Sequence, residues 1–162
     1  MELFEYDAET GIFRWRVTMV GGNYSSFVKA RPGDIAGKVD KSTGYVRIRT
    51  HGEKFFAHRL AWLFVTGEWP RLHIDHKDGD KENNRFGNLR DVTRSVNLQN
   101  RKGPSKKNKS TGVLGVRAAN DKFLAEIRIN GKTRNLGRFD TTEQAHAAYL
   151  TAKRKFHEGC TT

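Results

Sequence analysis

Leu72-His-Ile-Asp-His-Lys-Asp-Gly-Asp-Lys-Glu-Asn-Asn-Arg-Phe-Gly-Asn-Leu-Arg-Asp-Val-Thr-Arg-Ser-Val-Asn-Leu-Gln-Asn-Arg101 decides how the chain folds around its chemistry. The stretch opens on a short strand that ends at Asp75-His76. A polar loop follows, with turn signals at Asp78-Gly79 and Phe86-Gly87. Asn88-Leu-Arg-Asp-Val92 then reads as a second strand. Thr93 has the hydroxyl of a good N-cap, and a helix is predicted from there to about Asn100. Asn97 falls on its second turn, with Val96 on an apolar flank and Asn100 on a polar one. The predicted order is strand, loop, strand, helix, with the polar residues gathered at the strand end, in the loop and on the helix.

Outward from this segment, the composition limits what surrounds it. A chain of 162 residues makes one domain or two small ones. Apolar residues are 36 % of it, against a usual ~45–50 %. Two or three small β-rich units suit that composition better than one large core, so the predicted class is α+β. The longest apolar stretch is Leu60-Ala-Trp-Leu-Phe-Val65, far below the ~18 residues of a membrane span. The opening Glu2-Leu-Phe-Glu5 is acidic and does not read as a secretory signal. The only cysteine is Cys160, which rules out an intramolecular disulfide and a cysteine-based zinc site and fits a reducing cytoplasm.

The formal net charge is +12. Residues 1–72 carry +3, residues 73–101 carry +1 and residues 102–162 carry +8. Such a charge points to a polyanion, and nucleic acid is the leading candidate. Lys102-Gly-Pro-Ser-Lys-Lys-Asn-Lys-Ser-Thr111 reads as an extended basic linker. Its lysines, among them Lys106, Lys107 and Lys109, either sit in a solvated loop or lie along a phosphate backbone.

The N-terminal part reads as β-rich. Gly11-Ile-Phe-Arg-Trp-Arg-Val17 and Gly44-Tyr-Val-Arg-Ile-Arg-Thr50 alternate apolar and basic residues, as half-buried strands do. Their arginines serve solubility or face DNA. His51-Gly52 supplies a turn before Lys54-Phe-Phe-Ala57. His58-Arg-Leu-Ala-Trp-Leu-Phe-Val65 reads as a short helix with Leu60, Leu63 and Phe64 as its apolar stripe. Thr66-Gly67 ends it. His58 contacts a phosphate or buttresses the hairpin; the sequence leaves both open. His51, His146 and His157 read as structural or solvated. Asp78 and Asp80 read as a flexible acidic loop.

The strand–loop–strand–helix segment resembles the HNH nuclease family, also called ββα-metal. The resemblance lies in Asp75-His76, in Asn88 twelve positions later and in Asn97 nine positions beyond that. Asn83-Asn84-Arg85 and Asn88-Leu89-Arg90, with His58-Arg59-Leu60 and Tyr6-Asp7…Thr10-Gly11, resemble the HNH homing endonucleases of phages. The third letter of the motif is Asn97 here, as in that branch. The resemblance implies a metal-dependent centre that hydrolyses phosphodiester bonds in DNA, leaving a 5′-phosphate and a 3′-hydroxyl. A neutral imidazole, with an ordinary pKa of ~6.5, can take the proton of the attacking water, and His76 is assigned that task. Asp75 and Asn97 offer hard oxygens to one divalent ion, Mg²⁺ or Mn²⁺. Asn88 is expected to pin the loop and orient His76 by way of a backbone carbonyl. Arg94 is the candidate phosphate clamp. Neighbouring residues of a regular strand face opposite ways, so Asp75 and His76 can share a site only where the strand ends and bends.

Residues 112–159 form a second pattern. Val113-Leu-Gly-Val-Arg117 reads as a strand, and Lys122-Phe-Leu-Ala-Glu-Ile-Arg-Ile-Asn130 alternates. Asn130-Gly131 is a hairpin turn, followed by Lys132-Thr-Arg-Asn-Leu-Gly-Arg-Phe139. Thr141-Thr-Glu-Gln144 reads as a capping box. The helix after it is predicted to bury Ala145, Ala148, Tyr149, Ala152 and Phe156. This three-strand-plus-helix pattern resembles the AP2 DNA-binding domain through Gly115-Val116-Arg117, Ala125-Glu-Ile-Arg128, Leu136-Gly137…Phe139 and Thr141…Glu143…Ala145…Tyr149. The resemblance implies a sheet face in the major groove, with Arg117 and Arg128 at DNA-contacting positions. Lys132, Arg134 and Arg138 suit phosphates, which position without specifying. Leu114, Asn135 and Arg134 depart from the AP2 pattern, so no base preference carries over.

The predicted organisation is a nuclease domain at 1–101 with its core at 72–101, a linker at 102–111 and a DNA-binding domain at 112–159. The expected partner is double-stranded DNA, with the chain a monomer or weak dimer. One site per chain implies a nick in one strand. The rival readings are a non-catalytic DNA-binding regulator and, on charge alone, an RNA-binding protein.

Overall fold

The computed structural model describes residues 2–21, 27–104, 108 and 110–161. The chain forms two compact units, residues 1–92 and 93–162.

The first unit opens with a hairpin of β1 (Phe4–Asp7) and β2 (Ile12–Trp15), paired Phe4 to Trp15 through Asp7 to Ile12. The alternation read from the sequence sets its faces: Phe13 and Trp15 are buried while Arg14 and Arg16 are exposed. Asp7 builds the turn, accepting from the amides of Glu9 and Thr10 and from the Thr10 hydroxyl. Gly11 closes it at φ 75°. A side chain there would meet backbone: a Cβ would lie 2.4 Å from the Arg85 nitrogen and 2.5 Å from the Asn84 carbonyl carbon. A second hairpin joins β3 (Met19–Gly21) and β4 (Phe27–Ala30). A meander follows: β5 (Lys38–Val39), β6 (Val46–Thr50) and β7 (Glu53–Phe56). His51 and Gly52 both take positive φ, 48° and 81°, which the tight β6–β7 turn requires.

Helix α1 (Ala57–Thr66) starts directly from β7 and ends at Gly67, whose left-handed φ of 78° lets its amide reach the Leu63 carbonyl. Its buried stripe is Ala57, Leu60 and Ala61, joined by Phe64. Leu63, read as part of the stripe, is only partly buried, because the small Ala57 and Ala61 face the sheets. The last hairpin is β8 (His73–His76) and β9 (Leu89–Val92). Phe4, Phe13, Trp15, Ile48, Leu60, Ile74 and Leu89 form one core, with Phe4 and Trp15 rings 4.6 Å apart and Phe64 edge-on to Phe13 at 5.4 Å. Asn88, read as the first residue of a strand, ends a 3-10 turn at Phe86–Asn88 instead. Its side chain is engaged in the loop before β9 begins.

The second unit holds α2 (Arg94–Gln99), β10 (Val116–Ala119), β11 (Lys122–Ile129), β12 (Lys132–Phe139) and α3 (Thr142–Phe156), the strands in antiparallel order β10-β11-β12. Thr93 caps α2 and Thr141 caps α3, each hydroxyl accepting from the amide three residues on. Asn130 and Gly131 take the two positive φ values that their sequence promised, 49° and 78°.

Strand β10 begins at Val116, not at Val113. Gly115 adopts φ 77° and breaks the extended run. The Val113 and Leu114 carbonyls are taken by the Asn108 amide and the His146 imidazole. Gly115 packs flat on Tyr149, whose ring a Cβ would overlap at 2.1 Å. Helix α3 buries Ala145, Tyr149 and Ala152. Phe156, predicted in the core, is 39 % exposed, and Lys153 takes the buried place at 1 %. The alkyl stem of a lysine can pack like an apolar side chain where its ammonium finds an acceptor, here the Arg101 carbonyl at 2.8 Å.

That bond fastens α2 within the second unit. Three more contacts do the same. The Gly159 amide donates to Gln99 Oε1 at 3.1 Å, the Thr161 hydroxyl to Asn100 Oδ1 at 2.7 Å, and Lys102 Nζ to the Thr161 hydroxyl at 3.1 Å. Gly159 sits so close that a Cβ would lie 2.1 Å from the Val96 carbonyl oxygen.

Candidate active site

The β8–β9 register sets the site in the first unit. Asp75 pairs with Arg90 and His76 with Leu89. Cross-strand partners share a face, so the Asp75 carboxylate meets the Arg90 guanidinium. Nε and an Nη of Arg90 donate to Asp75 Oδ2 at 2.9 and 2.6 Å. Asp75 is 6 % exposed and His76 4 %. The chain bends directly after His76: Gly79, at φ 79°, donates its amide to the His76 carbonyl at 2.9 Å. The two neighbours thus sit at the strand end the sequence required, each covered on its own side.

Asn88 organises the loop. Its Oδ1 accepts from the Asp78 amide, and its Nδ2 donates to Asp78 Oδ1 and to the Asn83 carbonyl. Its own carbonyl takes the Lys77 amide at 2.9 Å. Asp78 also receives Asn83 Nδ2 at 2.6 Å and the Asp80 amide at 2.8 Å. Burial pushes the Asp78 carboxyl up, but hydrogen bonds from Asn88, Asn83 and the Asp80 amide hold it below the ordinary range. Asp78, read as part of a flexible acidic loop, is therefore a fixed acceptor in the middle of the network.

His76 lies among His58, Tyr45 and Asn84. The His58 ring stands edge-on to it at 5.1 Å, the Tyr45 ring at 5.9 Å, and Nε2 is 3.4 Å from Asn84 Oδ1. Burial lowers the His76 pKa below 6.5; the Asn84 hydrogen bond and the carboxylates of Asp78, Asp75 and Asp80 oppose it. His58 stacks on Phe56 at 5.3 Å and lies 4.9 Å from Tyr45. It buttresses His76 rather than facing solvent phosphates. Burial, His76 and Arg59 push its pKa down to about 3.

This burial makes folding pH-dependent. The unfolded His58 takes up a proton near pH ~6.5 and the folded one does not until about 3. Stability is therefore full above ~6.5 and falls as pH drops, by about 1.4 kcal/mol per unit for this group. Urea unfolding at stepped pH between 7 and 5 should show that slope, and His58→Phe should flatten it. An unchanged slope in the variant would remove His58 from the account.

Asn97 and Arg94 lie on α2 of the second unit, Asn97 half-buried and Arg94 exposed. On the sheet of that unit the register sorts the expected DNA contacts. Arg117, Leu124 and Arg138 form one row across the three strands. Lys132 and Arg134 pair with Ile129 and Ile127, on the face that α3 covers. A register shift between Ala125 and Glu126 separates the two halves of β11. All five basic residues, Arg128 included, are exposed. Arg117 is paired with Glu126 at 2.8 Å, and Arg128 Nε donates to the Gly131 carbonyl at 3.1 Å. Lys106, Lys107 and Lys109 lie outside the described residues.

The sequence reading gave no role in the site to Arg90, Asn84 or Tyr45, although the first two stand in the motif that carries the resemblance. Arg90 was legible once strands ending at His76 and beginning at Leu89 are paired, since the register follows. Asn84 and Tyr45 reach His76 through a loop and a turn, which no periodicity reports.

Among the described residues, no three His, Cys, Asp or Glu gather at one point. A cation here would have to be held by the Asp75 carboxylate and amide oxygens, a hard and sparse donor set that suits a partly hydrated Mg²⁺ or Mn²⁺.

The first unit holds a buried Asp-His pair at a strand end and a loop pinned by asparagine, and residues 55–99 match the HNH endonuclease family. The chain is 36 % identical over 81 residues to the DNA endonuclease I-HmuI of Bacillus phage SP01, across 49 % of this chain and 47 % of that protein. It thus spans about half the length of the curated relative it matches. No solved structure matches it.

Proposed function

We propose that this chain is a metal-dependent endonuclease that hydrolyses phosphodiester bonds in double-stranded DNA and nicks one strand. The observation that carries this is the His76 imidazole, 4 % exposed beside Asp75 at the end of β8, above a loop knotted by Asn88. The HNH family match at residues 55–99 supports it, as does the named activity of the phage relative.

His76 takes the proton of a water molecule as that water's oxygen attacks phosphorus. The bond to the 3′ oxygen then breaks, and that oxygen takes a proton from solvent, leaving a 5′-phosphate and a 3′-hydroxyl. Asp75 and Asn97 would hold Mg²⁺ or Mn²⁺, which would supply positive charge for the leaving oxygen. Asn88 keeps the loop closed under His76. Arg94 clamps a phosphate from α2.

The second unit is proposed as an AP2-like DNA-binding module. Arg117 and Arg128 are its candidates for base contacts; Lys132, Arg134 and Arg138 are its candidates for phosphates, as are Lys106, Lys107 and Lys109 of the basic stretch. The domain limits proposed from the sequence, 1–101, 102–111 and 112–159, describe function rather than packing. The chain acts as a monomer or weak dimer in the cytoplasm of the host cell.

A supercoiled plasmid carrying the flanking sequence of the gene tests the reading. Conversion to open circle with Mg²⁺ and none with EDTA is the expected result. Tight binding without cutting in either buffer would leave a DNA-binding regulator in its place.

A further inference from the structure

We infer that the Tyr45 hydroxyl is a catalytic group of this site: it donates a hydrogen bond to a non-bridging oxygen of the scissile phosphate while the phosphodiester is cut. That role rests on the reading of the chain as a nuclease, and it adds a residue to Asp75, His76, Asn88 and Asn97.

The ring of Tyr45 is held from several sides. His58 lies 4.9 Å from it, Phe56 stands edge-on at 5.6 Å and His76 is at 5.9 Å. The Lys81 ammonium sits 4.7 Å from the ring centroid, where the π face attracts a cation. The same ammonium donates to the Thr43 carbonyl at 2.8 Å. Lys81 belongs to the loop that Asn88 pins through Asp78 and Asn83, so it ties the Tyr45 turn to that loop. The turn itself is closed. The Asp40 amide donates to the Tyr45 carbonyl at 2.9 Å, and the Gly44 amide donates to the Asp40 carbonyl at 2.7 Å.

The hydroxyl has no such partners. Among the described residues none bonds to it, and it is open to solvent on a half-buried residue. Tyr6, the other half-buried tyrosine of this core, gives its hydroxyl to the Asn84 carbonyl at 2.8 Å. A phenylalanine would supply every ring contact that Tyr45 makes. Burial, and after it the Asp75 carboxylate, push the Tyr45 phenol up, so the acid of the site lies within its electrostatic reach. A phenol with an ordinary pKa of ~10 is a neutral donor near pH 7 in any case.

Tyr45 and His76 border one space. A phosphate close enough for His76 to serve the attacking water is within reach of a hydroxyl on a ring 5.9 Å away. The non-bridging oxygens of that phosphate are where a donor can answer the charge of the transition state, and a donor already in place does so without reorganisation. The phenol keeps its proton throughout: a hydrogen bond strengthens, and no covalent bond to the hydroxyl forms or breaks.

Tyr45→Phe in the full chain tests this on a supercoiled plasmid carrying the flanking sequence of the gene, in Mg²⁺. The kcat for nicking should fall roughly 10- to 100-fold with KM unchanged, at or below the ~10²–10³-fold cost of removing one placed donor. The urea midpoint should stay at the wild-type value, because the substitution removes no ring contact and no hydrogen bond within the protein. A tyrosine with a structural role alone gives the opposite result, a lower midpoint with kcat retained. A folded variant that nicks within about threefold of the wild-type rate, well short of a donor's usual share, overturns the inference. So does a loss confined to KM, since the hydroxyl then only binds, and so does a lowered midpoint, since the hydroxyl then has a partner in the protein. A wild type that never nicks retires the nuclease reading and the Tyr45 role together. A wild type and a Tyr45→Phe variant that nick equally well keep the first and drop the second.

Discussion

His76→Ala should bind duplex DNA as the wild type does and nick it roughly 10²–10⁴-fold more slowly, the range that a placed general base contributes. Binding survives because the substitution touches none of the basic residues proposed to hold DNA, those of α2, the lysine stretch and the C-terminal sheet. Cleavage slows because His58, whose ring centroid is 5.1 Å from that of His76, is buried at 7 % exposure and does not take over as the acceptor. Free imidazole added to the variant should restore part of the rate, since the alanine leaves room for one ring. The readout is the first-order conversion of supercoiled to open-circle plasmid in Mg²⁺. A variant that cuts within about threefold of the wild-type rate, well short of a base's usual share, removes His76 from the chemistry.

Arg90→Met should strongly destabilise the first unit. Asp75 is 6 % exposed, and both guanidinium contacts fall on one oxygen, at 2.9 and 2.6 Å. Methionine keeps much of the volume and removes the charge. Stripping one partner from a buried pair costs ~3–5 kcal/mol. Because the Arg90 side chain is 22 % exposed, water recovers part of this, and about 3 kcal/mol is expected. Asp75→Asn in the same chain should recover most of the loss, since the stranded carboxylate is then gone. Urea unfolding of the two single variants and the double variant measures the coupling. A single-variant loss below about 1 kcal/mol would place the pair among surface ion pairs. Mg²⁺ should raise the midpoint of Arg90→Met more than that of the wild type, as linkage demands of a cation that uses Asp75.

Much of this is legible in the sequence alone. Turn residues with one conformational solution, His51-Gly52 and Asn130-Gly131, placed their hairpins. Caps with one chemical role, Thr93 and Thr141, placed their helices. Alternation placed Phe13 and Trp15 inside and Arg14 and Arg16 outside. What failed was decided by contacts between segments far apart. Gly115 breaks a run of apolar residues because Tyr149 lies flat against it. Lys153 goes inside because the Arg101 carbonyl awaits it, and Phe156 comes out. The site divides in the same way. Asp75, His76 and Asn88 were visible as letters at a fixed spacing. Their supports, Arg90, Asn84 and His58, stand in the same quoted motifs, but the contacts they make come from a strand register, a loop and a helix start, which sequence distance hides.

The fastening of α2 bears on how such a protein can be taken apart. A fragment ending at Arg101 retains Asp75, His76, Asn88 and Asn97, yet it loses Lys153, Gly159 and Thr161, the groups that hold the last turn of α2. A helix of six residues does not persist alone in water. The lysine stretch looks like a seam between interchangeable modules, but a recombination event there would trade away the footing of the helix that carries the motif's last residue. Any exchange of the C-terminal sheet and helix has to bring a tail that grips α2 as well.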